Sequence, residues 1–88
     1  MSQMDNLTGR QIAAARTLVG MTQADLAVRS NVSTPTLKRM EASAGGAVGL
    51  KNNVEAVRRA LEAAGVEFIP ENGGGVGIRL SKPGGDVG

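Results

Sequence analysis

The sequence predicts a mainly α fold, a compact set of four short helices closed by a C-terminal β-hairpin or strand pair. Three observations predict it. Glycine is partitioned: only Gly9 and Gly20 precede position 45, and the other 11 of 13 lie at or beyond it, so the first half is free to be helical. Apolar residues recur at spacings of three and four in separate runs, bordered by capping or breaking residues. Two short apolar, β-like runs then flank a glycine-rich stretch near the end, as in a hairpin.

The first helix is predicted over about residues 8–19. Ala13, Ala14, Ala15 and Arg16 are strong helix formers, and Ile12, Ala15, Arg16 and Val19 share a face. Gly20 supplies a left-handed stop. Thr22 is placed to cap a second helix over about residues 23–29, with Asp25 in the capping-box position that Glu or Gln usually holds. That helix turns Leu26 and Ala27 inward. Ser30 and Asn31 make a tight turn, since Asn tolerates the left-handed conformation, and Val32 is an apolar plug.

Ser33 or Thr34 caps the third helix, which runs to about Ala42 with Pro35 in its first turn, where a missing N–H costs nothing. A residue before proline avoids the α region, so the choice of cap stays open. Leu37 and Met40 face the core. Residues 43–52 read as a Gly-rich connector. A fourth helix is predicted over about residues 53–64, with Val54, Val57, Leu61 and Ala64 as its buried stripe and Gly65 as its end. Residues 66–69 and 76–80 are the strand candidates around a loop at 70–75. An isolated two-stranded hairpin is marginal in water, so it needs the helices or a second subunit beneath it. The expected division is residues 1–65 as the functional domain, 66–82 as a strand pair with a possible role in dimerisation, and 83–88 as a disordered tail.

Composition excludes several chemistries. The 88 residues include no Cys, His, Trp or Tyr and one Phe. Zinc fingers, thiol redox sites and histidine-based catalysis therefore have no ligands or bases, and no metal or cofactor is expected. One Phe cannot form the aromatic platform that single-stranded nucleic acid stacks on. No signal peptide or membrane span is apparent, and the absence of disulfides fits a reducing cytoplasm. An enzyme would have to rest on Asp, Glu, Lys or Arg alone, and no constellation of these supports one.

Formal net charge is +2, with a sequence pI near 9.7. The pI overstates basicity, because without His nothing titrates between the carboxylates and the lysines. Position matters more: residues 29–59 hold Arg29, Lys38, Arg39, Lys51, Arg58 and Arg59 against Glu41 and Glu55, a balance of +4, while the remainder sums to −2. Such a zone suits phosphate contact or a solvated helix face. Arg58-Arg59 reads either as such a face or as a site for acidic partners. The run Asn72-Gly73-Gly74-Gly75-Val76-Gly77 lacks the lysine and following helix of a phosphate-cradling loop, and reads as a hairpin loop.

Two short helices joined by a tight turn, the second opening Ser33-Thr34-Pro35-Thr36, form the helix-turn-helix pattern. The run from Met21 to Glu41 resembles the phage-repressor-like (Cro/cI, Xre-type) family, whose pattern is Thr-Gln-x-x-Leu-Ala, Gly-Val-Ser, then Ile-x-x-x-Glu. Thr22, Gln23, Leu26, Ala27, Val32, Ser33, Leu37 and Glu41 fit it, and Asn31 stands where Gly is usual. The resemblance covers about residues 7–61. The segments 60–69, 72–75 and 77–80 also resemble the tails of small bacterial regulators in a branch of the family. It implies a lambda-repressor-like fold and a transcriptional regulator that binds double-stranded DNA, and for so small a chain repression is expected rather than activation.

On that resemblance the third helix enters the major groove. Thr34, Pro35, Thr36, Lys38 and Arg39 are then the candidates for base contact, and only Arg39 offers a bidentate contact to guanine. A Thr-Pro-Thr surface suggests some reliance on DNA shape. Thr22, Gln23, Ser33, Lys51, Asn52 and Asn53 are the candidate phosphate contacts, with a solvent-facing Gln23 and a polar loop at 51–53 as the plain alternatives. Arg16 and Glu41 are expected to form a structural ion pair tying the first helix to the third. A homodimer on an inverted repeat is expected, through the fourth helix, through Val66, Phe68, Ile69, Ile78 and Leu80 on the strands, or both. The alternative is a protein-interaction module on the same fold, antitoxin-like or anti-activator, with an exposed edge or tail engaging a protein partner.

Overall fold

Three of the helices start on a hydroxyl. In the computed structural model, which describes residues 7–43, 51–69 and 77–81, α1 spans Gly9–Leu18, α2 Gln23–Ser30 and α3 Thr34–Ala42. Thr8 Oγ1 accepts from the Gln11 N–H while Gln11 Oε1 accepts from the Thr8 N–H. Thr22 and Asp25 repeat the reciprocal arrangement before α2. Ser33 Oγ accepts from the Thr36 N–H, which settles the third cap and leaves Pro35 at the second helical position. Each hydroxyl satisfies a donor that the first turn leaves without an intrahelical partner. Gly20 (φ 75°) and Asn31 (φ 58°) take the left-handed conformations that separate the helices.

The fourth helix, α4, spans Lys51–Ala63, so it already includes Lys51 and Asn52, ahead of the start near Asn53 that the connector composition suggests. Ser30 likewise lies inside α2 and not in the turn: its buried hydroxyl donates to the Leu26 carbonyl oxygen at 2.7 Å, which satisfies it within the helix. The connector residues 44–50, the loop at 70–75 with Val76, and the tail at 83–88 lie outside the described residues.

One apolar cluster holds the chain together. Leu7, Ile12, Leu26, Leu37, Met40, Val57 and Leu61 are fully buried, and Ala60 joins the α4 stripe, with Val54 and Ala64 packed against its edge. α2 packs on α3 and α4, and α1 on α3. Gly9 sits where α1 meets the end of α3: a Cβ there would collide with the carbonyl oxygens of Met40, Glu41 and Ser43.

Strands β1 (Val66–Ile69) and β2 (Gly77–Leu80) pair antiparallel, with Val66 opposite Leu80 and Phe68 opposite Ile78. β1 packs against α4 and β2 against α1. The Gly65 carbonyl oxygen accepts from the Ser81 hydroxyl at 2.9 Å and from its N–H, closing the open end of the pair. Alternation places Val66, Phe68, Ile78 and Leu80 on one face and Glu67, Ile69 and Arg79 on the other. Val66 and Phe68 are only 2% and 5% exposed, in the chain's own core. The five strand residues expected at a subunit contact therefore do not share one surface. Two are spent internally, Ile69 lies on the opposite face, and Leu80 is the exposed apolar residue of the set.

Candidate nucleic-acid interface

Helix α3 has a buried foot and an exposed face. Leu37 and Met40 enter the core, while Pro35, Lys38 and Arg39 are exposed and Thr34 and Thr36 half-buried. All five residues expected to contact bases thus lie along one short helix held from beneath. Neither Lys38 nor Arg39 makes an ion pair among the described residues, so both charges remain available to a polyanion.

What holds the helix is a polar knot at its C-terminal end. Arg16 Nε donates to Glu41 Oε2 at 2.8 Å and Nη2 to Oε1 at 3.1 Å, a two-pronged pair between α1 and α3. The third prong, Nη1, donates to the Met21 carbonyl oxygen at 2.9 Å, in the link between α1 and α2. Gln23 Nε2 donates to Glu41 Oε1 at 3.0 Å from the first turn of α2. The Glu41 side chain is 6% exposed and that of Arg16 19%. A buried carboxylate requires such donors, and this one collects three.

Sequence spacing does not predict the Gln23 contact. Its partner lies 18 residues away, and no local spacing announces it. The only signal was that both residues belong to the same family pattern. Gln23 is half-buried, and one amide N–H is spent on Glu41, leaving its second N–H and its carbonyl oxygen for other partners.

The remaining candidates for phosphate contact occupy two places. Thr22 and Ser33 are exposed at the starts of α2 and α3, both already accepting a backbone N–H, and each hydroxyl also has a proton to donate. Ser33 directs its proton to Thr36 Oγ1 at 2.8 Å. Lys51 and Asn52, exposed, and Asn53, half-buried, are the first described residues of α4. Further along α4, Arg58 pairs with Glu55 at 3.3 Å and Glu62 at 3.2 Å, and Arg59 reaches Glu55 at 3.8 Å. That resolves Arg58 into an internally balanced helix face.

Among the described residues two carboxylates are shifted. Asp25 titrates below its ordinary value, chiefly because it accepts the Thr22 backbone N–H, helped by the Thr22 hydroxyl and the nearby Arg29 charge. Glu67 is lowered by its hydrogen bond and ion pair with Arg79 across the strands. Both act in the scaffold. Among the described residues no helix is long and apolar enough to cross a membrane.

In comparison with known proteins, residues 12–50 match a family model described as Helix-turn-helix. That stretch takes in most of α1, all of α2 and α3, and the knot joining them. No curated protein matches the chain.

Proposed function

Because residues 12–50 carry a phage-repressor-like helix-turn-helix domain, we propose that the chain is a sequence-specific transcriptional repressor of the cytoplasm that inserts α3 into the major groove of double-stranded DNA as a homodimer. One observation supports this above the rest: the exposed face of α3 carries two cations without an ion-pair partner among the described residues, and three small side chains, while its other face is locked to α1 and α2. A helix presented in this way fits a groove and holds its orientation there.

On this reading Arg39 contacts guanine, Thr34, Pro35, Thr36 and Lys38 contact neighbouring bases, and Thr22, Gln23, Ser33, Lys51, Asn52 and Asn53 position the domain on phosphates. One such helix spans only a few base pairs, so two copies on an inverted repeat supply the site length, with reading helices about 34 Å apart. Exposed Leu80 is the strand residue best placed for a subunit contact. Occupying the site would be enough to repress.

Selection of bound duplexes from a random pool is the decisive test. The expected result is a palindrome, bound with a steep negative salt dependence and lost in Lys38→Ala with Arg39→Ala. The exposed apolar side chains of Val28 and Leu80 favour a second reading, a protein-interaction module on the same fold. Failure to bind any duplex at low salt would select it.

A further inference from the structure

Ser33, Thr36 and Arg39 follow one another at intervals of three along the exposed side of α3, and their side chains are joined. Ser33 Oγ donates to Thr36 Oγ1 at 2.8 Å, and Arg39 Nη2 donates to the same oxygen at 3.4 Å. Ser33 is itself fixed to the backbone, accepting the Thr36 N–H at 3.2 Å. The chain of contacts thus runs from the helix cap to the guanidinium.

A threonine hydroxyl has two acceptor sites and one proton, and an arginine has donors only. With both acceptor sites of Thr36 taken, the hydrogen-bonding capacity it retains is its own proton. The geometry points to Thr36 as a positioning residue for Arg39, the two together forming a donor-only reading head for the major-groove edge of guanine. This rests on the DNA-binding reading above and deepens it. Guanine offers two acceptors, N7 and O6, whereas adenine pairs an acceptor with a donor, cytosine shows a donor, and thymine sets one acceptor beside a methyl group. The tether also restricts a flexible side chain before DNA arrives, so less freedom is lost on docking.

The test uses full-length protein and duplexes selected by it. Thr36→Val keeps the shape and the backbone N–H that Ser33 caps, and Thr36→Ser keeps the hydroxyl. The wild-type protein should select a guanine whose replacement by 7-deazaguanine, which lacks N7, weakens binding. Preference for that guanine should fall about twofold to tenfold in Thr36→Val, return in Thr36→Ser, and vanish in Arg39→Ala. Melting temperature and salt slope should be the same for both Thr36 variants as for wild type, since neither the cap nor a phosphate contact is removed. If Thr36→Val retains the full preference, or the Arg39-dependent base is not guanine, the inference is overturned while DNA binding stands. If the wild type binds no duplex at low salt, both fall.

Discussion

The α-carbon of Gly9 lies against the carbonyl oxygen of Met40, where α1 begins and α3 ends, with no space for a side chain between them. Helix propensity alone favours Ala over Gly by about 1 kcal/mol. The contact reverses the sign, because the obstructing atoms are backbone and cannot rotate away. Gly9→Ala should therefore destabilise the fold, by at least the ~1–3 kcal/mol typical of overpacking. Thermal denaturation decides it: a melting temperature equal to or above wild type would show that the two helices separate freely.

Arg16→Ala removes the centre of the knot and leaves Glu41 buried with, among the described residues, one remaining side-chain partner, Gln23. Breaking a buried pair on one side costs about 3–5 kcal/mol, and each kcal/mol is worth roughly 4–8 °C in a domain of this size. A loss of more than ten degrees, or failure to fold, is expected. Gln23→Ala should cost about 1.5–3 kcal/mol, the range for a hydrogen bond to a charged group. Equal melting temperatures for the two variants would contradict this ranking.

The Asp25 capping interaction predicts a pH dependence of stability. Its folded pKa lies below the ordinary value of 3.8 because the Thr22 N–H and hydroxyl bind the ionised carboxylate. The native state thus favours the charged form. Its stabilisation is complete above the unfolded pKa and disappears as pH falls through the folded one. Wild type should exceed Asp25→Asn in melting temperature near neutrality, and the gap should close below about pH 4. Since Glu67 is also lowered, the difference between the two proteins isolates Asp25. A gap that persists in acid would assign the effect to something other than ionisation.

On the strands, burial separates two neighbouring side chains. Phe68→Ala should cost about 3–5 kcal/mol, as for a large aromatic lost from a core. Leu80, 54% exposed, should tolerate Ser within about 0.5 kcal/mol as far as the isolated fold is concerned. Sedimentation of Leu80→Ser then reports on the proposed homodimer, which it should weaken. Unchanged association would move the contact elsewhere, with α4 the next surface to test.

Local chemistry made much of this legible in the sequence. The Thr22–Asp25 box, the Gly20 and Asn31 turns, Pro35 within the first turn of α3, and the inward Leu26, Leu37, Met40, Val57 and Leu61 all follow from spacing and caps. Thr8-x-x-Gln11 carries the same capping signal at the start of α1. The rest depends on tertiary placement. Gln23 meets Glu41 only after α2 and α3 are packed, and Lys51 becomes helical although composition assigns it to the connector. Hydrophobicity alone groups the strand residues. The pairing register then split them, because alternation sends neighbouring positions to opposite faces.

The division of α3 into a foot and a face has a consequence for change over generations. Met40, Leu37 and the knot at Glu41 maintain the fold, while Pro35, Lys38 and Arg39 contribute nothing to its core. Surface positions of this kind usually accept substitution within about 0.5 kcal/mol. On the proposed DNA-binding reading, such a chain would be free to drift from one DNA sequence to another without crossing an unstable intermediate, and duplicated copies could diverge in target while sharing one body. Thr36 and Ser33 set the boundary of that freedom, since the cap and the tether meet there.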